Sequence, residues 1–594
     1  MRFRQFFVEI RRRKVLNTCA LYIVAAWVAI QVADMLFPAI DVPEEALRYV
    51  WLIAAALLPL VVVFSWRYDV SVNGISRTPP AEVGDDFNPS LRRVDYALLT
   101  ALGVVAIAVS LEFGMRIEPG GIRIDNSISP FSIAVLPFDD LSGNPEEQYF
   151  VSGMQSALID GLSRVRNLRV TSKVSTLPYR QDGSSLIDIA MQLGVARIIE
   201  GTVLRADGRV SIALRMHDTQ AGEQVWSDRF EDEGRNILLL QAKAAQEIAN
   251  QVRVQLGPEE REQFASVSQV NPEAYNAFLK GVFHVERFTP EDIRIAAEHF
   301  QRAVDIDPGS ARAYYGLAKL CSFQAQVGLI TPQQAREQCL PPLLRALELD
   351  PFMPEAHLGL ATRATWHMFD WEEARPHWER ALELNPSLVD AHIFYAHYLG
   401  IIGELEKSTE HADKAIELDP LNPFTIGLYA VQLVMRGDYE RAIETAEQSL
   451  SMAPGYAFGY VALWMAHDAL GHEEASIRTI ANMMRKIGNK PIAGDFLEAA
   501  FERDGYESAA LQTAEMQLQE LEPAQPKDPN NLAFLYMLGG DFESAIDYME
   551  VTVDLMSPNA PYYGVNIKRP GMRNHPRFKA LLERMGLDYW AANP

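Results

Sequence analysis

The chain has 594 residues, 48% of them hydrophobic and 22% charged, with a formal net charge of −24 and three cysteines. That length corresponds to roughly three to five units of about 100–200 residues, and the composition is that of packed domains, not of a disordered polymer. The acidic balance argues against a phosphate-binding face, and hence against nucleic acid as a partner. Three cysteines are too few for a disulfide framework or a zinc ribbon.

The charge is unevenly spread. Residues 1–14, MRFRQFFVEIRRRK, hold six Lys/Arg and one Glu, and a basic tail ahead of an apolar run points to a membrane. Three stretches have the length and polarity of transmembrane helices, which need about 20 residues: 15–37, 47–66 and 96–115, within 15–116. A signal peptide fits the first poorly, because polar Gln31 and Asp34 stand where a small-residue cleavage site belongs. Positive charge flanks the spans unequally. The tail and the loop holding Arg67, Arg77, Arg92 and Arg93 are rich in it, whereas the first loop has Arg48 and the segment after the third span has Arg116 and Arg123. The positive-inside rule then predicts a multi-pass inner-membrane protein with a cytoplasmic N-terminus and periplasmic C-terminal domains.

After a linker at 117–130 the pattern becomes that of a small α/β domain over 131–256. Ser132–Phe138 reads as a buried strand, Gln148–Val165 has helical spacing, and Ala196–Arg205 turns into the alternation Val210, Ile212, Leu214, Met216 of a hairpin. The full order is βαβαβββα. Asp139 and Asp140 follow the first strand, where an α/β fold often places ligand groups; the plainer expectation is that they cap the turn and the helix after it. No Gly-rich phosphate loop, nucleophile elbow or metal-binding helix motif accompanies them.

The runs IAVLPFDDLSGNPEEQYFVSGMQSALIDGLSRVRNLRV and QLGVARIIEGTVLRADGRVSIALRMHDTQAGEQVWSDRF resemble the TolB-N-like/CsgG-like domain of bacterial TPR (tetratricopeptide-repeat) proteins. Such domains accompany adenylate-cyclase-type or CadC-like winged-helix modules. The resemblance implies a sensing or interaction role without catalysis.

Self-similarity governs residues 272–558. AVDIDP, ALELDP, ALELNP, AIELDP and the worn SLSMAP end at Pro308, Pro351, Pro386, Pro420 and Pro454, spaced by 43, 35, 34 and 34. With each closing proline at position 32, the small-residue positions 8, 20 and 27 hold Thr362, Ala374 and Ala381, then Ala396, Ser408 and Ala415, then Ala430, Ala442 and Ser449. This register resembles TPR, in which paired helices cross closely and proline stops the second. It predicts an all-α solenoid of about seven to eight repeats. Residues 559–594 resemble the ending of the same proteins, with a capping helix at 576–585.

A TPR array presents a groove lined by the first helix of each repeat. Positions 2, 5, 9, 12 and 13 predict a peptide-binding set: Arg363, Trp366, His367, His397, Phe424, Val431, Met435, Phe458 and Met465. Cys321 and Cys339, 18 apart in the two helices of one repeat, either pair in an oxidising compartment or stay as buried thiols. Six histidines (His357, His367, His377, His392, His397, His411) show no i, i+4 pair and read as helix-surface residues, not metal ligands. The expected class is therefore multi-domain: transmembrane helices, a small α/β domain and a TPR solenoid. Its expected function is that of a membrane-embedded scaffold for protein partners, without cofactor or catalysis, and with room for homo-oligomers. The alternatives are a signalling or transcription-regulatory receptor acting through an associated protein, and an enzyme with an unrecognised site.

Overall fold

The structure, a computed structural model, divides into two compact units, Met1–Gly121 and Ile122–Pro594. In the first, the described residues are Tyr22, Leu57 and a hairpin of β1 (Tyr68–Ser71) and β2 (Gly74–Arg77). In the second they are 129–593, interrupted at 145–146, 181–184, 207–208, 234–236, 253–256, 258–270, 286–289, 327–328, 489 and 520–528.

The membrane architecture needs correction. Among the described residues no helix is long and apolar enough to cross a membrane, which overturns the expected transmembrane fold class and the multi-pass inner-membrane localisation. The longest of these helices, Pro290–Ile306, has 17 residues and buries only one face. Its Glu291, Arg294 and Glu298 form ion pairs in solvent. The expected spans 15–37, 47–66 and 96–115 lie outside the described residues except for Tyr22 and Leu57.

The second unit opens with a mixed sheet of β3 (Ser132–Val135), β4 (Asp139–Asp140), β5 (Arg169–Val170), β6 (Arg197–Ala206), β7 (Arg209–Asp218) and β8 (Glu223–Asp232). The order is β5-β3-β6-β7-β8, with β4 pairing further along β6. β3 runs parallel to both neighbours and all four of its residues are buried, which explains a strand written as one apolar run. β6, β7 and β8 are antiparallel. Helices α1 (Gln148–Ser163) and α3 (Ile237–Gln251) cover one face through Phe150, Met154, Leu162 and Ile248, and α2 (Leu186–Leu193) covers the other through Ile189 and Leu193. Gly194 ends α2 in the left-handed conformation (φ 63°). At Gly201 a Cβ would lie 2.5 Å from the Phe138 ring, so this strand position requires glycine.

Eight helical hairpins follow among the described residues, each with a first helix A and a second helix B. The A helices are Pro272–Val285, Ala311–Gln326, Pro354–Arg363, Val389–Ile401, Pro423–Met435, Ala457–Ala469, Pro491–Asp504 and Asn530–Leu538. The second hairpin carries an extra short helix, Pro332–Gln338, and a Cys321–Cys339 disulfide brackets it. The small residues of the repeat register, among them Ala374, Ala381, Ala396, Ala415, Ala430 and Ala442, are fully buried where helices cross. This is a TPR-like solenoid beside a small sheet domain.

The last segment does more than lid the final repeat. Through short helices at Pro570–Arg573, Pro576–Arg584 and Asp588–Ala592 it turns back along the array. Trp590 Nε1 donates to the Ile401 carbonyl at 2.7 Å, and Trp371 Nε1 donates to the Met585 carbonyl at 2.8 Å. Tyr563, Met572 and Phe578 are fully buried in one cluster with the solenoid.

Two repeat ends grip the sheet domain. Asp419, buried in the AIELDP turn, accepts hydrogen bonds from Ser172, from Ser175 (2.5 Å), from Asn422 (2.7 Å) and from Thr425 (3.2 Å). Burial pushes its carboxyl up, and those four donors pull it back. One repeat earlier, Asn385 donates to Ser163 Oγ (2.9 Å) and Ser387 to the Leu168 carbonyl (3.1 Å).

The histidines pair across hairpins, which linear spacing did not reveal. His357 Nδ1 lies 3.1 Å from His377 Nδ1, and His392 Nδ1 lies 3.0 Å from His411 Nδ1. In each pair the helix A ring donates Nε2–H to the proline that closed the previous repeat, Pro351 at 3.2 Å or Pro386 at 2.9 Å. Its Nδ1 must then accept, so the helix B ring supplies the shared proton. A second proton on the helix A ring would set two N–H groups head to head. Desolvation lowers all four rings, His392 to about 4.

Two outcomes are expected. Asp419→Ala strands four donors and lowers unfolding free energy by about 3 kcal/mol in urea titrations. Asp350→Ala, at the same repeat position but capping only Phe352 N, costs about 1 kcal/mol or less. Equal losses would remove the special role of the Asp419 contact. The histidine values lie below the ordinary 6.5, so between pH 6.5 and about 4 the unfolded chain binds more protons and stability falls with pH. The pair variant His392→Asn/His411→Asn is expected to flatten that decline in Tm; an unaltered slope would show that the pairs do not titrate as described.

Candidate functional site

The nine residues predicted to line the groove separate into three groups. Trp366, His397, Val431, Met435 and Met465 are buried. Trp366 Nε1 donates to Tyr562 Oη at 3.2 Å. Tyr562 Oη lies 3.1 Å from His397 Nδ1, and His397 Nε2 lies 3.0 Å from the Leu428 carbonyl. A carbonyl can only accept, so the chain runs Trp366 to Tyr562 to His397 to Leu428, with a neutral imidazole. Burial, which lowers His397 to about 4, agrees with that tautomer. Tyr562 belongs to the returning C-terminal segment, which thus covers Trp366 and His397 with the chain's own residues.

Phe424 and Phe458 form the second group. Both are half-buried, and they belong to an edge-to-face row that crosses successive repeats. Ring centroids are 5.6 Å apart from Trp366 to Phe394, 6.2 Å from Phe394 to Phe424, and 5.6 Å from Phe424 to Phe458. Tyr456 packs on Phe424 at 6.0 Å and is 39% exposed. Centroid spacings of 4.5–7 Å and tilted rings are the arrangement aromatic quadrupoles favour.

Arg363 and His367 make up the third group, four residues apart where helix A of the third hairpin deforms. The α-helix Pro354–Arg363 passes into a π turn at Ala364–Met368, and Phe369 then adopts the left-handed region with φ 55°. Such π turns and non-glycine left-handed residues concentrate at functional positions. Arg363 meets Glu373 at 3.9 Å. Burial lowers His367 to about 4, helped by the positive charges of Arg336 and Arg363. Arg336 lies on the extra helix Pro332–Gln338 and was absent from the predicted set. Its trace in the sequence is the 43-residue spacing between Pro308 and Pro351, which marks inserted structure without saying where it folds.

Among the described residues no group of three or more His, Cys, Asp or Glu side chains is placed to hold a metal ion. The nine residues therefore comprise buried hydrogen-bonded and apolar side chains, partly buried aromatic edges and an arginine ion-paired with Glu373.

No protein-family model matches the chain. A curated protein of Rhizobium meliloti (strain 1021), named "Putative adenylate cyclase 3", is 32% identical over 237 residues, 40% of this chain. The chain spans 40% of that relative's length. Among solved structures, the type IV pilus biogenesis factor PilW is 16% identical with a TM-score of 0.29, over 35% of this chain and 92% of its own. A thermophilic TPR protein of Thermus thermophilus is 19% identical with a TM-score of 0.27, over 33% and 98%. The human IFIT1 dimer with PPP-AAAA is 15% identical with a TM-score of 0.32, over 54% and 83%. The hairpins, the repeat register and the buried small residues identify the solenoid of this chain as TPR-like.

Proposed function

We propose that this protein is a scaffold that binds other proteins on the concave side of its TPR-like array, with the sheet domain as a second interaction or sensing module. The observation that carries the reading is the partly buried aromatic row through Phe394, Phe424 and Phe458, flanked by the more exposed Tyr456. Large, rigid aromatic side chains supply contact area at small entropic cost and dominate binding energy at interfaces. The five buried residues of the predicted set pack inside the protein, so partner contact is assigned to the row and to Arg363 and His367 beside it.

The curated relative motivates a second reading, in which the chain serves signalling through an associated protein. The match covers 40% of that relative, and a nucleotide-cyclising activity is not part of the proposal.

The test compares pull-downs by the full chain and by Phe424→Ala/Phe458→Ala. Truncating hot-spot aromatics costs about 2–4 kcal/mol, so partners recovered by the native protein are expected to weaken at least tenfold. Both rings pack partly against the core, so Tm of the double variant is measured alongside, and recovery is compared at a temperature where it is folded. Undiminished recovery by the folded double variant would refute the row as the binding surface.

A further inference from the structure

Helix A of the sixth hairpin ends in a turn written His467-Asp468-Ala469-Leu470-Gly471-His472. Gly471 takes the left-handed region at φ 72° and its N–H donates to the Asp468 carbonyl at 3.1 Å, while His472 N–H donates to the His467 carbonyl at 2.8 Å. Those two bonds define a Schellman ending, which brings together the side chains at its two outer positions, frequently in an apolar contact. Three other hairpins end helix A with the same outer bond: Glu404 N to the Leu399 carbonyl, Asp438 N to Leu433 and Asp541 N to Tyr536. There an apolar or aromatic residue faces a carboxylate-bearing one. In the sixth hairpin both positions are imidazoles.

The two rings meet in the open. His467 Nδ1 lies 3.3 Å from His472 Nδ1 in a solvent-exposed contact, with ring centroids 5.6 Å apart. No other hydrogen bond of either ring is present among the described residues. Zinc–imidazole bonds are about 2.0–2.1 Å long, and two of them at the tetrahedral angle hold their nitrogens about 3.3 Å apart. The separation needed to share one cation is thus already set by the turn, so little ordering remains to be done on binding. Asp468, between the two histidines, is not free to join them: it accepts from Tyr506 Oη at 2.8 Å and from Arg569 at 2.7 Å. The pairs His357–His377 and His392–His411 differ, because in each the helix A ring is tied to a proline carbonyl and His392 is only 8% exposed.

We propose that His467 and His472 form a two-imidazole chelate for a divalent transition-metal cation of the zinc class, with water in its open positions. Imidazole nitrogen suits such cations, whereas magnesium and calcium seek oxygen. Ligation through both Nδ1 atoms needs two neutral rings with their protons on Nε2. The ring that donates in the metal-free pair therefore shifts its proton from Nδ1 to Nε2, and no other group has to move charge.

The full chain would be titrated with zinc chloride at a pH of about 7.5, where imidazoles are neutral, following heat and the rise in Tm that binding to the folded state produces. Magnesium chloride is the second arm. One zinc equivalent is expected that magnesium does not displace, and His467→Asn and His472→Asn are each expected to weaken it at least tenfold. His467→Leu/His472→Asp restores the residues of the preceding repeat, Leu433 and Asp438. It is expected to keep the metal-free Tm within a few degrees of native and to lose that equivalent. His392→Asn/His411→Asn is expected to retain it. The site would be overturned by an equivalent that survives in the Leu/Asp variant or by single variants that bind within a few-fold of native. Displacement by magnesium, or loss of the equivalent in the His392/His411 variant, would overturn it as well.

Discussion

A stack of helical hairpins buries each apolar face against the next repeat and leaves its last face without a neighbour. A polar capping helix is the simplest answer to that constraint. This chain instead turns its C-terminal segment back along the array, so that Trp590 and Tyr562 meet helices 189 and 196 residues earlier in the chain. Side chains as large as Tyr563, Phe578 and Trp590 are buried in the process. At about 1.5–3 kcal/mol for each large apolar side chain removed from water, such a segment is part of the core and not a displaceable lid. The segment therefore covers Trp366 and His397, two of the residues expected to line a groove.

The repeat-ending turns show one motif used in two ways. Asp350 caps its own turn through Phe352 N and faces solvent, as expected for an Asp-Pro turn. Asp419, at the equivalent place, is buried against Ser172 and Ser175 of the sheet domain. Desolvating a carboxylate is tolerable only with several donors around it, and four surround this one. A generic helix-ending signal thus becomes one of the contacts that hold sheet domain and solenoid together, beside those of Asn385 and Ser387.

Burial also decides where charge can remain. The helix A histidines hydrogen-bond to proline carbonyls, and the helix B rings fill their remaining lone pairs, so those polar groups are satisfied. Arg336 and Arg363 are the contrast: their sealed nitrogens have no acceptor, beside a π turn and a strained Phe369. The π turn and the left-handed Phe369 break helix continuity next to two of the buried atoms without a partner, Arg363 Nε and His367 Nδ1.

By itself, the sequence determined what depends on neighbours a few residues away. The period near 34, the small residues at helix crossings and the closing prolines specify paired helices, because close packing and a missing amide act locally. The apolar run at β3 and the alternation at β7 specify strands for the same reason. The aromatic positions Phe424 and Phe458 were legible through that register, as were Arg363 and His367. Tertiary structure alone decided which of the nine residues expected to line a groove are buried, since Tyr562 and Trp590 arrive from far along the chain and no periodicity marks them. It also decided the pairing of His357 with His377 and of His392 with His411, at separations of 20 and 19 that carry no linear signature. The inserted helix that carries Arg336 packs within its own hairpin, which the 43-residue spacing does not reveal. The expected membrane spans show the limit of composition: hydropathy describes a stretch of chain, but no helix among the described residues has the length and uniform apolarity that lipid requires.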